Sequence, residues 1–411
     1  MWTTEMLSSV VNISPGNSIP AKKKSELFTG VKGMPYVATK DVSFDGIINY
    51  DNGICIPQDY LNNFRISPKY ATLICAEGGS AGRKIAFSHN ECCYVNKLFS
   101  LEPTNKIIPK FLYYYSISAE FQLQFNAALH GLIGGVSLTK MKKFSISYPS
   151  IPEQERIVTK LDAAFAEIDS KISLCKQNID NVNTLLNRQL DYIFGNNNLL
   201  KSKEWIKSPL KDLCNNFKAD IVDGPFGSNL KKSDYIDSGI EVLKIQNIKP
   251  FHINNKKISF VSESKYHELK RHSFISGDIL MTKLGEPLGV CAIVEEYKQG
   301  LIVADLVRIR AAKINTKFLC YQLNSPSINR YINSQQTGSG RKRIRLSVAR
   351  ELPIVYPSME VQHEIVKSLD KIKYDIKSLS NTYNSKLNNL ESLKSSILKH
   401  ALSENIKGNA A

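Results

Sequence analysis

Two short stretches of the sequence carry the residue types from which active sites are built. The stretch "GGSAGRKIA" (Gly78 to Ala86) has the glycines and basic residues of a phosphate-binding loop. Arg83, however, stands where the GxxxxGKS/T pattern needs its second glycine, which excludes a Walker-type nucleotide site. The stretch "HNECC" (His89 to Cys93) begins like the HxE of a zinc deaminase, but no PCxxC follows to complete the metal site. Since HExxH, GxSxG and NPPY-like stretches are also missing, the sequence predicts no catalytic residues and no metal site.

Clusters of lysine and arginine offer a second kind of chemistry, the binding of a polyanion. The chain carries a formal net charge of +16 and a pI near 9.3, a balance that attracts phosphates. In "GSGRKRIR" (Gly338 to Arg345) four cations follow closely on two glycines, where guanidinium groups can reach phosphates or a guanine edge. In the first half of the chain, Lys140, Lys142 and Lys143 follow "GLIGGVSLT" at what the sequence indicates is the matching position.

Any one of these clusters is also compatible with a solvated surface, but several of them in a strongly basic chain favour double-stranded DNA as the partner. The candidate DNA-binding residues are Lys231, Lys232, Lys283, Arg341, Lys342, Arg343, Arg345, Lys22, Lys23, Lys24, Arg83, Lys84, Lys140, Lys142 and Lys143.

The sequence segments that should position these residues occur twice in the chain. "YPSIPEQERIVTKLD" (Tyr148 to Asp162) returns as "YPSMEVQHEIVKSLD" (Tyr356 to Asp370), 208 positions later. "KFLYYY" (Lys110 to Tyr115) likewise returns as "KFLCYQ" (Lys317 to Gln322). Such self-similarity predicts a tandem duplication of an α+β domain followed by a helix. The predicted boundaries are 1–150 for the first domain, 151–200 for its helix, 201–357 for the second domain and 358–411 for the second helix.

Each copy ends in a helix with a heptad-like apolar seam. Apolar residues recur mostly in alternating steps of four and three, and neither helix is interrupted by glycine or proline after its first turn. We expect two helices of about forty residues that pair antiparallel, with a domain at the N-terminal end of each and an approximate two-fold axis. The alternative is that each helix packs only on its own domain. The predicted packing residues are Leu161, Phe165, Ile168, Ile172, Ile179, Val182, Leu186, Leu369, Ile372, Ile376, Leu379, Leu390, Leu393 and Ile397.

The remaining composition predicts a cytoplasmic protein. The chain shows neither a signal pattern in its first thirty residues nor an apolar run of membrane-spanning length, so no membrane partner is expected. Its eight cysteines are scattered without CxxC pairs in a chain too large to need a disulfide framework. We expect them to be reduced thiols, mostly buried.

Three parts of the sequence together resemble a known family. "DGPFGSNLKKSDYIDSGIEVLKIQNI" (Asp223 to Ile248), "GDILMTKLGEPLG" (Gly277 to Gly289) and the two helix entries are similar to the specificity subunit of Type I restriction-modification systems, and the resemblance covers essentially the whole chain. It implies two α/β target-recognition domains, each reading one half of a split DNA target. It also implies that the two helices form an antiparallel coiled coil with pseudo-two-fold symmetry, whose length sets the gap between the half-sites.

The same resemblance implies partners that carry the chemistry. Two methyltransferase subunits would bind S-adenosylmethionine, and two restriction subunits would use ATP and Mg²⁺, so no cofactor is expected in this chain and the chain itself is not an enzyme. The first half departs from the family pattern, with "SPGNSIPAKKKSELF" where the second half has "DGPFGSNLKKSDY". This divergence is expected if the two domains read different sequences. Two other functions stay open, a coiled-coil scaffold protein and a DNA-modifying enzyme with an unrecognised active site.

Overall fold

The structure, a computed structural model, describes residues 2–130, 134–195, 204–337 and 342–403. It divides into two compact units, a first unit of Met1–Cys175 with Ser385–Ala411 and a second unit of Lys176–Asn384. The domain boundaries predicted from the sequence stay predictions. They follow chain order, whereas the first unit takes in the end of the second long helix.

The first domain alternates short strands and helices before its long helix. Its strands are β1 (Thr3–Met6), β2 (Val11–Pro15), β3 (Met34–Val37), β4 (Cys55–Ile56), β5 (Ile66–Ser67), β6 (Thr72–Cys75), β7 (Ile85–Phe87), β8 (Cys92–Tyr94), β9 (Leu98–Pro103) and β10 (Ser145–Tyr148). Its helices are α1 (Ala21–Leu27), α2 (Pro109–Ser116), α3 (Ala119–Ala128), α4 (Leu138–Met141) and the long α5 (Ile151–Gly195). The strands form two four-stranded sheets, β2-β9-β6-β7 and β4-β3-β8-β5, and an antiparallel pair, β1-β10.

The second domain repeats this plan. Its strands are β11 (Ile206–Pro209), β12 (Ile221–Asp223), β13 (Tyr235–Ile236), β14 (Ile240–Leu243), β15 (Ile248–Lys249), β16 (His252–Ile253), β17 (Ser259–Val261), β18 (Ser273–Ile275), β19 (Ile279–Thr282), β20 (Cys291–Ile293), β21 (Gln299–Ile302), β22 (Leu306–Ile309) and β23 (Pro353–Tyr356). Its helices are α6 (Phe217–Asp220), α7 (Glu263–Glu268), α8 (Thr316–Leu323), α9 (Pro326–Ser334), α10 (Leu346–Arg350) and the long α11 (Met359–Ser403). The sheet β12-β22-β19-β20 has the strand order of β2-β9-β6-β7, and the pair β11-β23 matches β1-β10. The predicted duplicated α+β fold is therefore confirmed.

Both long helices span 45 residues, and within each unit they pack against each other. In the first unit Leu161 and Phe165 of α5 share a buried core with Leu398 and Leu402 of α11. One turn further along α5, Asp169 pairs with Lys394 at 2.7 Å. As α5 advances, its partners on α11 therefore come earlier in the chain, which makes the pairing antiparallel.

The second unit shows the same arrangement at the other ends of the two helices. Leu190 and Phe194, near the end of α5, share the second domain's core with Val366 and Leu369, near the start of α11. The alternative in which each helix packs only on its own domain is therefore wrong.

The predicted packing residues differ in how far they are buried. Five are buried, namely Leu161, Phe165, Ile168, Leu369 and Leu390. Seven are half-buried, namely Ile172, Ile179, Val182, Leu186, Ile372, Ile376 and Ile397. In contrast to the prediction, Leu379 and Leu393 are exposed by 44% and 48%. At these two points the less exposed residue is the next one along the helix, Ser380 and Lys394, and the Lys394 ammonium lies 4.7 Å from the centre of the Phe165 ring.

Two side chains in the repeated stretch at each helix entry bond the long helix to its own domain, which explains why they recur in both copies. The first is a buried glutamine. The amide of Gln154 accepts from the backbone N–H of Ile108 at 2.8 Å and donates to the carbonyl of Pro149 at 2.9 Å. Gln362 repeats this, accepting from Asn315 and donating to Pro357, both at 2.9 Å.

The second of these side chains is an aspartate. Asp162 accepts from the Tyr114 hydroxyl and pairs with Lys110 at 2.8 Å. Asp370 accepts from the Tyr321 hydroxyl at 2.6 Å and pairs with Lys317 at 3.1 Å. Burial, and then the hydrogen bond to the carboxylate, raises the pKa of both phenols, so they stay protonated donors at neutral pH.

Replacing Gln362 with leucine should lower the free energy of unfolding of the chain by roughly 2–4 kcal/mol. The side chain is only 2% exposed, and the change leaves a buried N–H and a buried carbonyl without their partner. Urea unfolding followed by circular dichroism measures the change. Glu364→Ala, an exposed position on the same helix, is the control and should shift stability by less than about 0.5 kcal/mol. Equal stabilities of the two variants would contradict this account of the repeat.

Candidate nucleic-acid interface

The candidate interface lies at one edge of the sheet β12-β22-β19-β20. Both β12 and β19 run antiparallel to the strand between them, β22, so their carboxyl ends meet at the same edge. Asp223, the last residue of β12, faces Val307, and Thr282, the last of β19, faces the neighbouring Leu306. The loops that follow these two strands therefore start side by side.

Side-chain and backbone contacts join these two loops to the basic segment further along the chain. The Asp223 carboxylate pairs with the Lys283 ammonium at 2.5 Å. The carbonyl of Lys283 in turn accepts from the N–H of Ile344 at 3.0 Å, and the N–H of Gly285 donates to the carbonyl of Lys342 at 3.0 Å. We call residues 223–232, 283–289 and 342–345 together the basic edge. The contacts hold its three segments in one place.

The predicted DNA-binding residues of the second domain divide into two groups on this edge. Lys231, Lys232, Arg343 and Arg345 are exposed. Lys283 is not free to bind a ligand, because its side chain is only 17% exposed and its charge is already paired with Asp223. Lys342 is exposed but pairs with Glu286 at 2.9 Å. Arg341 lies outside the described residues.

The first domain has the same backbone pairing at this edge, which we call the backbone ladder, but its side chains differ. The N–H of Gly78 donates to the carbonyl of Gly134, and Glu77 faces Gly135. In the second domain Leu284 faces Arg343 in the same way. A glycine therefore occupies the place of Arg343, and Ser137, two residues on, occupies the place of Arg345.

The prediction that Lys140, Lys142 and Lys143 match the arginine cluster is therefore wrong. These lysines lie on α4 or directly after it, beyond the ladder. Since α4 and α10 both follow the ladder and begin 208 positions apart, the counterparts of the three lysines are Val348, Arg350 and Glu351. Lys142 and Lys143 are exposed, and Lys140 donates to the carbonyl of Ala128 at 3.2 Å.

Of the other basic candidates of the first domain, Arg83, Lys84 and Lys24 lie over aromatic rings. The guanidinium of Arg83 and the ammonium of Lys84 lie 5.0 and 5.1 Å from the centre of the Phe44 ring, which is 58% exposed. Lys84 also donates to the carbonyl of Thr39 at 2.9 Å. Lys22 and Lys23 are exposed on α1, and the third lysine there, Lys24, is half-buried over Tyr36.

Sequence reasoning missed the two exposed phenylalanines of this protein. All 17 phenylalanines lie in the part of the chain that the structure describes, and among them only Phe44 and Phe226 are exposed, by 58% and 72%. Asp223, which anchors the basic edge through Lys283, was also missed. No pattern in the sequence marks these residues, because neither exposure nor an ion pair between distant strands has a local signature.

The remaining chemistry of the described chain is sparse. Of the eight free cysteines, seven are buried, and burial raises the pKa of Cys92 and Cys93 to about 12, which makes these thiols poor nucleophiles. Within the ranges that the structure describes, no group of three histidine, cysteine or acidic residues could hold a metal ion. No described helix has a stretch long and apolar enough to cross a membrane.

Comparison with known proteins gives one consistent result. The family model of the Type I restriction modification DNA specificity domain matches residues 1–179 and again residues 202–389. The chain is 24% identical over 422 residues to the Type I restriction enzyme EcoKI specificity subunit of Escherichia coli K12, covering 97% of this chain and 88% of the relative. It is 22% identical over 313 residues to the MjaVIII specificity subunit of Methanocaldococcus jannaschii, covering 73% of this chain and 72% of the relative.

Solved structures show the same fold. The HsdS subunit from Thermoanaerobacter tengcongensis aligns with a TM-score of 0.56 at 18% identity, covering 98% of this chain and 97% of that one. A chain solved in work on complex assembly and conformational transition of the type I R-M system aligns with a TM-score of 0.74 at 16% identity, again covering 98% and 97%. Since one family model matches both halves, this chain belongs to the Type I restriction-modification DNA specificity family.

Proposed function

We propose that this chain is the DNA-recognition subunit of a Type I restriction-modification complex and that each of its two domains reads one half of a bipartite target. The observation that carries the proposal is the duplicated sheet edge. Both domains have the same backbone ladder at this edge, whereas the side chains on it differ, with Arg343 in one domain and Gly135 in the other. A common scaffold with different side chains is what two readers of different base sequences require.

We further infer that the chemistry resides in the partners. Two methyltransferase subunits with S-adenosylmethionine would methylate adenine, and two restriction subunits with ATP and Mg²⁺ would cleave, with this chain choosing the site in the cytoplasm. Family membership supports this assignment. The exposed cations of the basic edge suit the DNA-binding role that this assignment leaves to the chain.

The first test concerns catalysis. The purified chain, incubated with DNA, Mg²⁺, ATP and S-adenosylmethionine, should neither methylate nor cleave, whereas co-expression with its cognate methyltransferase subunit should give a stable complex that methylates adenine. Transfer of a radioactive methyl group to DNA measures the difference. A complex built with a catalytically disabled methyltransferase subunit controls for contaminants. Turnover by the chain alone would favour the DNA-modifying enzyme.

The second alternative, a coiled-coil scaffold, is separated by specificity. Mapping methylated adenines in DNA exposed to the complex should reveal one split motif with a fixed gap. A complex that methylates without any preferred motif would leave the chain as a scaffold and overturn the recognition function.

A further inference from the structure

The loop after β12 presents an aromatic ring to solvent in a basic setting. Phe226 is 72% exposed, and the exposed Lys231 and Lys232 follow it within the same loop. Fifteen of the 17 phenylalanines in this chain are at least half-buried, which is the usual state of so apolar a side chain. The exposed ring therefore needs an explanation other than core packing.

The loop is anchored at both ends, so Phe226 is not exposed by fraying. At the start, the carbonyl of Asp223 accepts from Nδ1 of His272 at 2.6 Å, and its carboxylate is paired with Lys283. Gly224 then passes the backbone of Val303 so closely that an added Cβ would lie 2.2 Å from it, which only glycine permits. At the far end, Leu230 is 9% exposed and belongs to a buried cluster.

A turn between these anchors holds the backbone that carries the ring. The N–H of Asn229 donates to the carbonyl of Phe226 at 2.8 Å. Because Lys283 bonds both to Asp223 and to Ile344, the loop that carries Phe226 starts beside the segment that carries Arg343 and Arg345. An exposed apolar ring on an anchored loop that also carries exposed lysines suits a partner that offers phosphates and flat apolar surfaces together.

We propose that Phe226 packs its ring against the bases of the half-site read by the second domain, while the cations around it bind the phosphates. The inference rests on the proposed DNA recognition and deepens it by naming a residue that contacts bases. The charge and the ring together favour a nucleic acid, since phosphates alone would make no use of an exposed phenyl group, and the proposed recognition function makes that nucleic acid duplex DNA.

The first domain has a different side chain at the matching position. Gly16 occupies the place of Gly224, since both N–H groups donate at 3.3 Å to carbonyls 208 positions apart, those of Leu98 and Leu306. Two residues further on, Ser18 stands where the second domain has Phe226, and it too is exposed. The control is therefore taken from outside both edges: Ile275 is 43% exposed and lies just before β19 begins, at the opposite end of that strand from the basic edge, so Ile275→Ala removes an exposed apolar side chain away from the proposed contact.

The test uses the complex of the full chain with its methyltransferase subunit and a duplex carrying the mapped methylation motif. Phe226→Ala should weaken binding roughly tenfold to hundredfold, with an unchanged slope of log affinity against log salt, because no phosphate contact is lost. Phe226→Trp should restore most of the affinity, and Ile275→Ala should leave it unchanged. Thermal unfolding should be the same for all variants, since both positions are exposed.

The outcomes are distinct from those of the proposed function. If the unmodified complex fails to prefer its motif over a scrambled duplex, the recognition function itself is wrong. If it does prefer its motif and Phe226→Ala binds equally well, or loses affinity with a changed salt slope, Phe226 makes no base contact and this inference alone is overturned.

Discussion

Replacing Arg343 and Arg345 together with alanine should reduce the affinity of the assembled complex for its target by at least tenfold and relax sequence preference in one half-site only. Each arginine that reads a base contributes about 1–3 kcal/mol of discrimination. Both side chains are exposed, and the backbone between them is held by Ile344, which is 2% exposed. The loop should therefore keep its position when the two guanidinium groups are removed.

Competition binding at several salt concentrations separates the two roles that these arginines could have. Loss of two phosphate contacts would flatten the salt slope by about 2, whereas loss of base contacts would relax the motif at nearly constant slope. Lys249→Ala with Lys256→Ala removes the same charge from exposed positions of the same domain outside the basic edge, and it should have the smaller effect. Unchanged affinity and slope in the double arginine variant would return the segment to the status of a solvated surface.

The sequence predicted the duplication and both long helices because these depend on local patterns. The glutamine and aspartate of each helix entry recur since each makes the same hydrogen bonds in its own domain, and steps of four and three mark an apolar seam over many turns. The seam was misread at Leu379 and Leu393, where a leucine stands one position before a half-buried polar residue. Residue type alone predicts that the leucine is the buried residue at such a position, whereas in the helix the residue after it is the less exposed one.

The basic edge was harder to predict because contacts between distant residues build it. Lys283 looked like a free cation, yet Asp223, 60 positions earlier, neutralises it and turns it into an anchor for two loops. The lysine clusters at α1 and α4 could be found by composition, but only the backbone ladder shows that the cluster at α4 is not the counterpart of the arginines, whose places Gly135 and Ser137 occupy. The exposure of Phe226 likewise depends on the anchors at the start of its loop, which are made by His272, Lys283 and Val303, far away in the sequence.

Lengthening both long helices by four residues should move the complex to a target with a wider gap. The proposed insertions duplicate residues 180–183 after Asn183 in α5 and residues 375–378 after Ser378 in α11, where both flanking residues are exposed. Four residues add about 6 Å and slightly more than one turn, so the apolar seam of each helix largely keeps its direction. If the helices set the gap between half-sites, it should grow by about one to two base pairs at 3.4 Å per pair, and methylation at the original spacing should fall to background.

The double insertion and the double arginine variant should change different parts of the target. The insertion should change the gap and leave both half-site sequences as they were, whereas the double arginine variant should alter one half-site at constant gap. Lengthening α5 alone puts the added turn opposite an unchanged α11, so it should disturb the packing of the two helices within a unit and lower stability instead of creating a new target. Mapping methylated adenines for all three variants decides the matter: an active double-insertion complex that still methylates the original spacing would show that the helices do not determine the gap.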